Sequence, residues 1–351
     1  MAYTDIDKSD DYFNTVLYTG NASSRSITGV NFQPDWVWIK RRSTGDAHYL
    51  FDNVRTATKY ISSNNTDTEV TNANTLTSFD SDGFSLGTVN ETNKSGETFV
   101  SWNWLASNTT ASNTDGSITS TVSANTTSGF SVVTWTGDGN KSATVGHGLG
   151  SELSCIIIKE RTGGDWWHNW QTGLSGDSYN IFLNNTEPQR SAYNDGHVKK
   201  LNNSTTFGFD SSTSNVDAVN QSGVDNVGYC FAEKKGFSRF GSYVGNGSSD
   251  GSYIHLGFKP AFIMTKRTDS STGGSWQMYD NKRLGYNVDN NQMKADKTNA
   301  EDTSDGLDIL SNGFKMRNSG NSYNASGASY IYMAFAENPF VTSTGIPGTA
   351  R

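Results

Sequence analysis

Histidines, cysteines and close-set carboxylates are the residues of this 351-residue chain that could carry chemistry. The five histidines are His48, His147, His168, His197 and His255. A Ser or Cys nucleophile needs a histidine held by a third group. None of the five recurs at one position of the repeats described below, and none accompanies a Gly-x-Ser-x-Gly elbow. The chain has no His-Glu-x-x-His, no paired Cys-x-x-Cys and no phosphate-binding glycine loop. Asp80 and Asp82 have the spacing of an acid pair or a cation loop, but a later copy of the same segment carries Ser311 and Asn312. They therefore read as turn formers. The Gly137, Asp138, Gly139, Asn140 loop lacks the ligand spacing of an EF-hand. A glycosidase needs two carboxylates across a cleft, and no acidic pair stands out. The reading is no catalytic residue, no metal, no cofactor and no enzyme, with a glycan-degrading enzyme as the outside alternative.

Two clusters carry a functional reading. Trp166, Trp167, His168 and Trp170 are candidate ligand-binding residues, because aromatic faces beside polar loops stack on sugar rings. The competing reading is a core strand with alternating aromatics. Asp52 with Arg55, echoed by Asp280 with Arg283, is a candidate interface or structural ion pair. Cys155 and Cys230 read as buried reduced thiols, and a bridge would require their strands to be neighbours.

The elements that hold these residues repeat three times. GVNFQPDWVWIKRR (29–42), GLGSELSCIIIKER (148–161) and LGFKPAFIMTKR (256–267) each carry a lysine near their end, Lys40, Lys159 or Lys266. VLYTGNAS (16–23), VVTWTGDGN (132–140) and GSYVGNGS (241–248) open the copies. LFDNVR (50–55) matches MYDNKR (278–283), and FDSDGFSLG (79–87) matches LSNGFKMR (310–317). TFVSWNW (98–104), NVGYCFAE (226–233) and YIYMAFAE (330–337) close them. A period just over a hundred residues suits one small β domain. Short apolar runs bounded by Gly, Asn, Asp and Ser give strands and turns, and no long 3.6-residue period appears. The fold expected is all-β: three tandem β-sandwich, jelly-roll-like modules. The modules span 1–107 with an N-terminal arm, 108–236 with a linker, and 237–341, followed by a tail at 342–351. The Ser/Thr/Asn-rich 108–116 stretch reads as that linker. Trp36 and Trp38 project to one face of their strand, Val37 and Ile39 to the other. A strand apolar on both faces belongs inside a packed structure.

Bulk properties exclude other classes. A net charge of −8 and a pI near 5.1 argue against nucleic acid. Mean hydropathy is −0.60 and no run is long enough for membrane insertion. The start MAYTDIDKSDDYF is acidic and lacks the apolar core of a secretory signal.

Together, FQPDWVWIKRR, YLFDNVR, FDSDGFSLG, TFVSWNW, YCFAEKKGFSRFGSYVGNGS and YIYMAFAENPFVTSTGIP resemble a family of repeat proteins from tailed bacteriophages of marine bacteria. The resemblance covers nearly the whole chain. It implies a virion or tail-fibre-associated protein with concanavalin-like or SPRY-like sandwich domains, and it carries no catalytic residues. On that basis the chain is expected at the virion surface, made in the host bacterial cytoplasm. It would contact host surface glycan as a fibre or receptor-binding protein, or else serve as a head or tail decoration protein. Its expected partners are capsid or tail proteins and further copies of itself, as a homo-oligomer such as a trimer. The end segments, 1–12 and 341–351, are expected to be arms that order on docking.

Overall fold

The computed structural model describes residues 3–191, 196–283, 287, 291–303 and 306–348. It is all-β, built of several open sheets. Among the described residues helix is confined to single turns such as Asn90–Asn93 and Asp217–Asn220. Short apolar stretches punctuated by Gly and Asn leave room for little else.

One strand order recurs in each third of the chain. An opening strand pairs with a closing strand, which pairs with a lysine-bearing strand, which pairs with an aromatic strand. In the first third these are Phe13–Thr19, Thr98–Trp104, Trp36–Arg41 and His48–Asp52. In the middle third they are Phe130–Thr136, Asp225–Phe231, Cys155–Glu160 and His168–Gln171. In the last they are Ser238–Val244, Ser329–Pro339, Phe258–Arg267 and Gln277–Asp280. The registers correspond: Trp36 lies opposite Trp104, Cys155 opposite Phe231 and Phe262 opposite Phe335. These strand pairs are antiparallel, and in each third the closing strand is paired on both sides.

A three-stranded sheet accompanies each large one. The first is Arg25–Thr28, Gly83–Leu86 and Leu76–Asp80. The second is Thr144–Gly146, Thr206–Asp210 and His197–Lys199. The third is Tyr253–His255, Gly313–Met316 and Leu307–Leu310.

The doubly apolar strands now have an explanation. In the first third, Val37, Ile39 and Phe99 of the large sheet join Ile27, Phe84 and Leu86 of the small one in a single core. The opposite face carries Trp36, Trp38, Trp102 and Trp104 into a second core drawn from all three thirds. There Trp36 stacks on Tyr229 with ring centres 4.3 Å apart. Phe335 lies 5.7 Å from Trp104 and 5.6 Å from Phe231. Each such buried side chain contributes about 1.5–3 kcal/mol relative to exposure.

Several expectations change. Residues 108–116 are not a free linker: Ala111–Asn113 forms an edge strand on Ser120–Asn125. The N-terminal arm lies against the body, because Ile6 enters the shared core and Tyr12 meets Phe237 edge-on. Tyr3 also donates its hydroxyl to Gly257 O at 2.6 Å. The described part of the tail is largely exposed, yet Ser343 N and Oγ both bond Asp7. Cys155 and Cys230 are on neighbouring strands but one register step apart, Cys230 facing Ile156. That step sends them to opposite faces and separate cores, so both are free thiols.

The turn after each opening strand is closed by a buried asparagine. Asn93 bonds Ser23 O and Gly87 O, Asn220 bonds Asp138 and Asn140 O, and Asn324 bonds Asn246 and Ser248 O. The glycine of the turn lets the two loops touch. A Cβ on Gly137 would come 2.2 Å from Gln221 O, and one on Gly245 2.1 Å from Ala325 O. Gly137→Ala and Gly245→Ala should each cost about 1–3 kcal/mol in chemical denaturation, through forced backbone displacement.

Candidate functional site

The three repeated lysines are wholly buried, and each fastens one third of the chain to another. Lys40 Nζ donates to its neighbour Arg41 O at 3.0 Å and to Thr298 O of the last third at 3.3 Å. Lys159 donates to Glu160 O at 2.9 Å and to Thr66 O of the first third at 3.2 Å. Lys266 donates to Asn185 O of the middle third at 2.8 Å and to Gly274 O. The contacts run first to last, middle to first and last to middle, so they close a ring. Burial pulls the ammonium pKa down to about 8 for Lys40 and Lys159, and to about 7 for Lys266.

Ring nitrogens repeat the same circuit. Trp167 Nε1 donates to Ser62 O at 2.9 Å, and Trp276 Nε1 to Phe182 O at 2.8 Å. His48 occupies the corresponding place in the first third, with Nε2 3.0 Å from Lys294 O. Trp38 Nε1 donates to His48 Nδ1, which leaves the proton on Nε2 for that carbonyl. Burial holds the His48 pKa well below the usual range, consistent with a neutral ring.

The two Asp–Arg pairs belong to this system. Asp52 and Arg55 are fully buried at 2.5 Å, as are Asp280 and Arg283 at 2.7 Å. Each carboxylate also takes a donor from another third. Tyr229 Oη donates to Asp52 at 2.8 Å, and Trp102 Nε1 donates to Asp280 at 3.0 Å. Each arginine reaches onward to a glutamate that is held by a second arginine. Arg55 meets Glu69, which Arg161 grips with two bonds, and Arg283 meets Glu301, which Arg42 grips likewise. The fork geometry suits paired carboxylate bonds.

The middle third departs from this pattern for a visible reason. By register, Gln171 stands where Asp52 and Asp280 stand, opposite Cys155. The position matching Trp102 and Tyr229 in the last third is Met333, which offers no N–H or O–H. Gln171 therefore donates to a backbone oxygen, Tyr332 O, at 3.1 Å.

The aromatic cluster is placed differently from the sugar-platform expectation. Trp167 and His168 are fully buried and Trp170 is 5% exposed. Trp170 Nε1 donates to Gly176 O, and only Trp166 is half-buried, edge-on to Phe182 at 4.6 Å. Alternation along His168–Gln171 sends Trp167, His168 and Trp170 into the interior on both faces. Asp82 accepts Gly29 N and Asn31 N, and Asp80 accepts Ser78 and Ser85 hydroxyls, as turn locks. Among the described residues no group of three or more His, Cys, Asp or Glu is placed to hold a metal ion, and no helix is long and apolar enough to cross a membrane.

Sequence reasoning found the lysines and the Asp–Arg pairs but gave the lysines no role. It missed Arg42, Arg161, Glu69 and Glu301. Their signal was present: both arginines lie two residues after the repeated lysine, where the last copy has Thr268.

The repeated frame and its contacts fall within a stretch that matches a known family model, a domain of unknown function designated DUF7483, over residues 8–339. The chain belongs to that family. No curated protein and no solved structure matches it.

The buried pairs make stability sensitive to single changes. Asp52→Asn, which strips Arg55 of its nearest counter-charge, should cost about 3–5 kcal/mol. Tyr229→Phe should cost about 1–3 kcal/mol, and a double-mutant cycle should show the two changes coupled. Chemical denaturation reads all three values.

The lysines also set a pH dependence. Their folded pKa values lie below the ~10.4 of an unfolded lysine, so above pH 7 the unfolded chain holds more protons. Stability should rise with pH between about 7 and 8.5. Above ~8.5 the buried thiols of Cys155 and Cys230, pushed up by burial, oppose the rise. Beyond pH ~10 the buried phenols of Tyr18, Tyr229, Tyr243 and Tyr279, raised by burial, reverse it. The thermal midpoint should climb from pH 7 to 8.5, and Lys266→Met should flatten that slope.

Proposed function

We propose that this chain is a non-enzymatic structural protein of a bacteriophage particle, built of three β-sandwich modules and displayed on the particle surface as a decoration or appendage. The closed circuit of buried lysine, indole and Asp–Arg contacts carries this reading. It commits the chain's distinctive cations and aromatics to holding one rigid body together. The outside is left to Ser, Thr and Asn turns, which suit a body that docks and persists.

Tyr3 bonds Gly257, and Ser343 bonds Asp7, so residues 3–7 are fastened to the last third as well. The decoration role is favoured over host-glycan contact because Trp167, His168 and Trp170 are interior. A homotrimer is not needed to complete the circuit, because it closes within one chain. A monomeric building block that docks on capsid or tail protein fits best.

Quantitative mass spectrometry of purified particles should find the chain at a fixed copy number relative to the major capsid protein. Absence from purified particles would end this reading. Cell-binding by the isolated chain, lost on changing surface loops, would restore the receptor-binding alternative.

A further inference from the structure

The thirds meet at three seams. The residue that follows the repeated lysine at each seam is Arg41, Glu160 or Arg267. By register it faces Phe99, Asn226 or Tyr330 on the closing strand. Arg41 Nη2 lies 2.7 Å from Asp46 Oδ2 and donates to Asn90 O at 2.6 Å, with its guanidinium over the Phe99 ring. Arg267 Nε lies 2.6 Å from Asp269, and its Nη1 donates to Asn321 Oδ1 at 3.2 Å. Asn90 and Asn321 each stand three residues before the buried asparagine that closes the turn. Two copies therefore seat a guanidinium between an aspartate and the turn.

The middle copy keeps the seat without the arginine. Asp165 is six residues after its lysine, as Asp46 is. Its Oδ1 accepts Trp166 N at 2.6 Å, as Asp46 Oδ1 accepts Ala47 N at 2.8 Å. Asp217 stands where Asn90 and Asn321 stand. Glu160 replaces the arginine and is 2% exposed, and its buried Oε1 has no hydrogen-bond partner. Opposite it, Asn226 is fully buried; Nδ2 donates to Val224 O at 2.9 Å, and Oδ1 has no partner. Arg161 N bonds Asp225 O, so Glu160 and Asn226 form the closer, non-hydrogen-bonded type of pair. Glu160 Oε2 lies against the loop that carries Asp165, where a Cβ on Gly163 would collide with it. Burial, and after it the charges of Asp165 and Asp217, hold the Glu160 carboxyl well above the usual carboxylate range. Lys159 opposes this shift, but its Nζ is committed to Thr66 O and Glu160 O.

We propose that the middle third binds a calcium ion at this corner, through the carboxylates of Glu160 and Asp165 and the amide oxygen of Asn226. The two buried atoms without partners are both oxygens on facing residues, the ligand type of a hard cation. A glutamate ends short of where an arginine places its guanidinium, and an ion about 2.3–2.6 Å beyond the carboxylate takes up that reach. The ion then stands where Arg41 Nη2 stands in the first third, against the counterpart of Asp46. Glu160, Asp165 and Asp217 bring three negative charges to a corner where the other copies set one arginine against one aspartate. Asp217 adds charge there rather than a ligand. Calcium accepts a mixed set of carboxylate, amide, main-chain and water oxygens in flexible geometry, whereas magnesium demands a near-ideal octahedron. The inference stands apart from the particle reading.

The test uses the full chain, stripped with EDTA and titrated with calcium chloride in a calorimeter. One ion per chain should bind, with a dissociation constant of about 1 mM or tighter. The thermal midpoint should rise with calcium, and NMR should show the side-chain amide of Asn226 shifting saturably. Glu160→Gln should weaken binding about tenfold or more. Glu160→Arg, which restores the residue of the other two copies, should abolish calcium binding and make the midpoint indifferent to calcium. Midpoints in EDTA show whether the variants are folded. Lack of saturable binding at millimolar calcium would overturn the proposal, as would unchanged affinity in folded Glu160→Gln. So would an Asn226 amide that stays still in the calcium-saturated wild type, a result that needs no variant. Equal affinity for magnesium chloride would overturn the choice of calcium.

Discussion

A strand that is apolar on both faces cannot be satisfied by one sandwich partner. This constraint organises the whole molecule. The lysine-bearing strand of each third buries one face against its own small sheet and must find cover for the other. The first third presents Trp36 and Trp38 there, the middle third Cys155 and Ile157, and the last Phe262 and Met264. None of these faces can meet water without a large cost, and the arrangement that covers all of them at once is a common core. The aromatic triad of Trp104, Phe231 and Phe335 stands within it, on the three central strands.

A greasy core fixes closeness but not orientation, because the hydrophobic effect has no direction. Direction comes from the polar groups. A buried ammonium on a carbonyl, an indole on a carbonyl and a carboxylate on a phenol or indole are each satisfied in only one relative placement. Their desolvation is expensive, so a misplaced third would leave several of them unpaired. The Gln171–Met333 exception supports this view. Where the neighbouring side chain has no hydrogen to give, the carboxylate and its arginine are both absent.

The all-β class, the repeat and the two-faced strands could be read from the sequence because they depend on local alternation and on turns such as those at Gly137 and Gly245. The destination of the second apolar face could not, since Trp36 gives no sign that Tyr229, far along the chain, will stack on it. The same limit explains the aromatic cluster. Trp166, Trp167 and Trp170 look like a platform in sequence, and only the packing of His168–Gln171 between two cores makes Trp167 and Trp170 interior. The 108–116 stretch misled for the opposite reason: its polar composition resembles a linker, yet edge strands tolerate polar residues on both faces, and Ala111–Asn113 is one. The ring of Arg42, Arg161, Glu69 and Glu301 was hidden because each pair joins residues about ninety or more positions apart.

Two of the three seams are spanned by the polypeptide itself, and this changes what kind of equilibrium holds the body together. In an assembly of separate subunits, closure is a matter of concentration, and dilution takes the ring apart. Here two of the three meetings take place at the effective concentration set by a tether of a few residues, which is in the millimolar range for short linkers. Closure is therefore unimolecular and indifferent to how scarce the protein becomes. A tethered ring also escapes the rule that every seam of a symmetric oligomer be identical. Two junctions keep Asp–Arg and one uses glutamine, and one of the Asp–Arg junctions has no covalent crossing, all within one molecule.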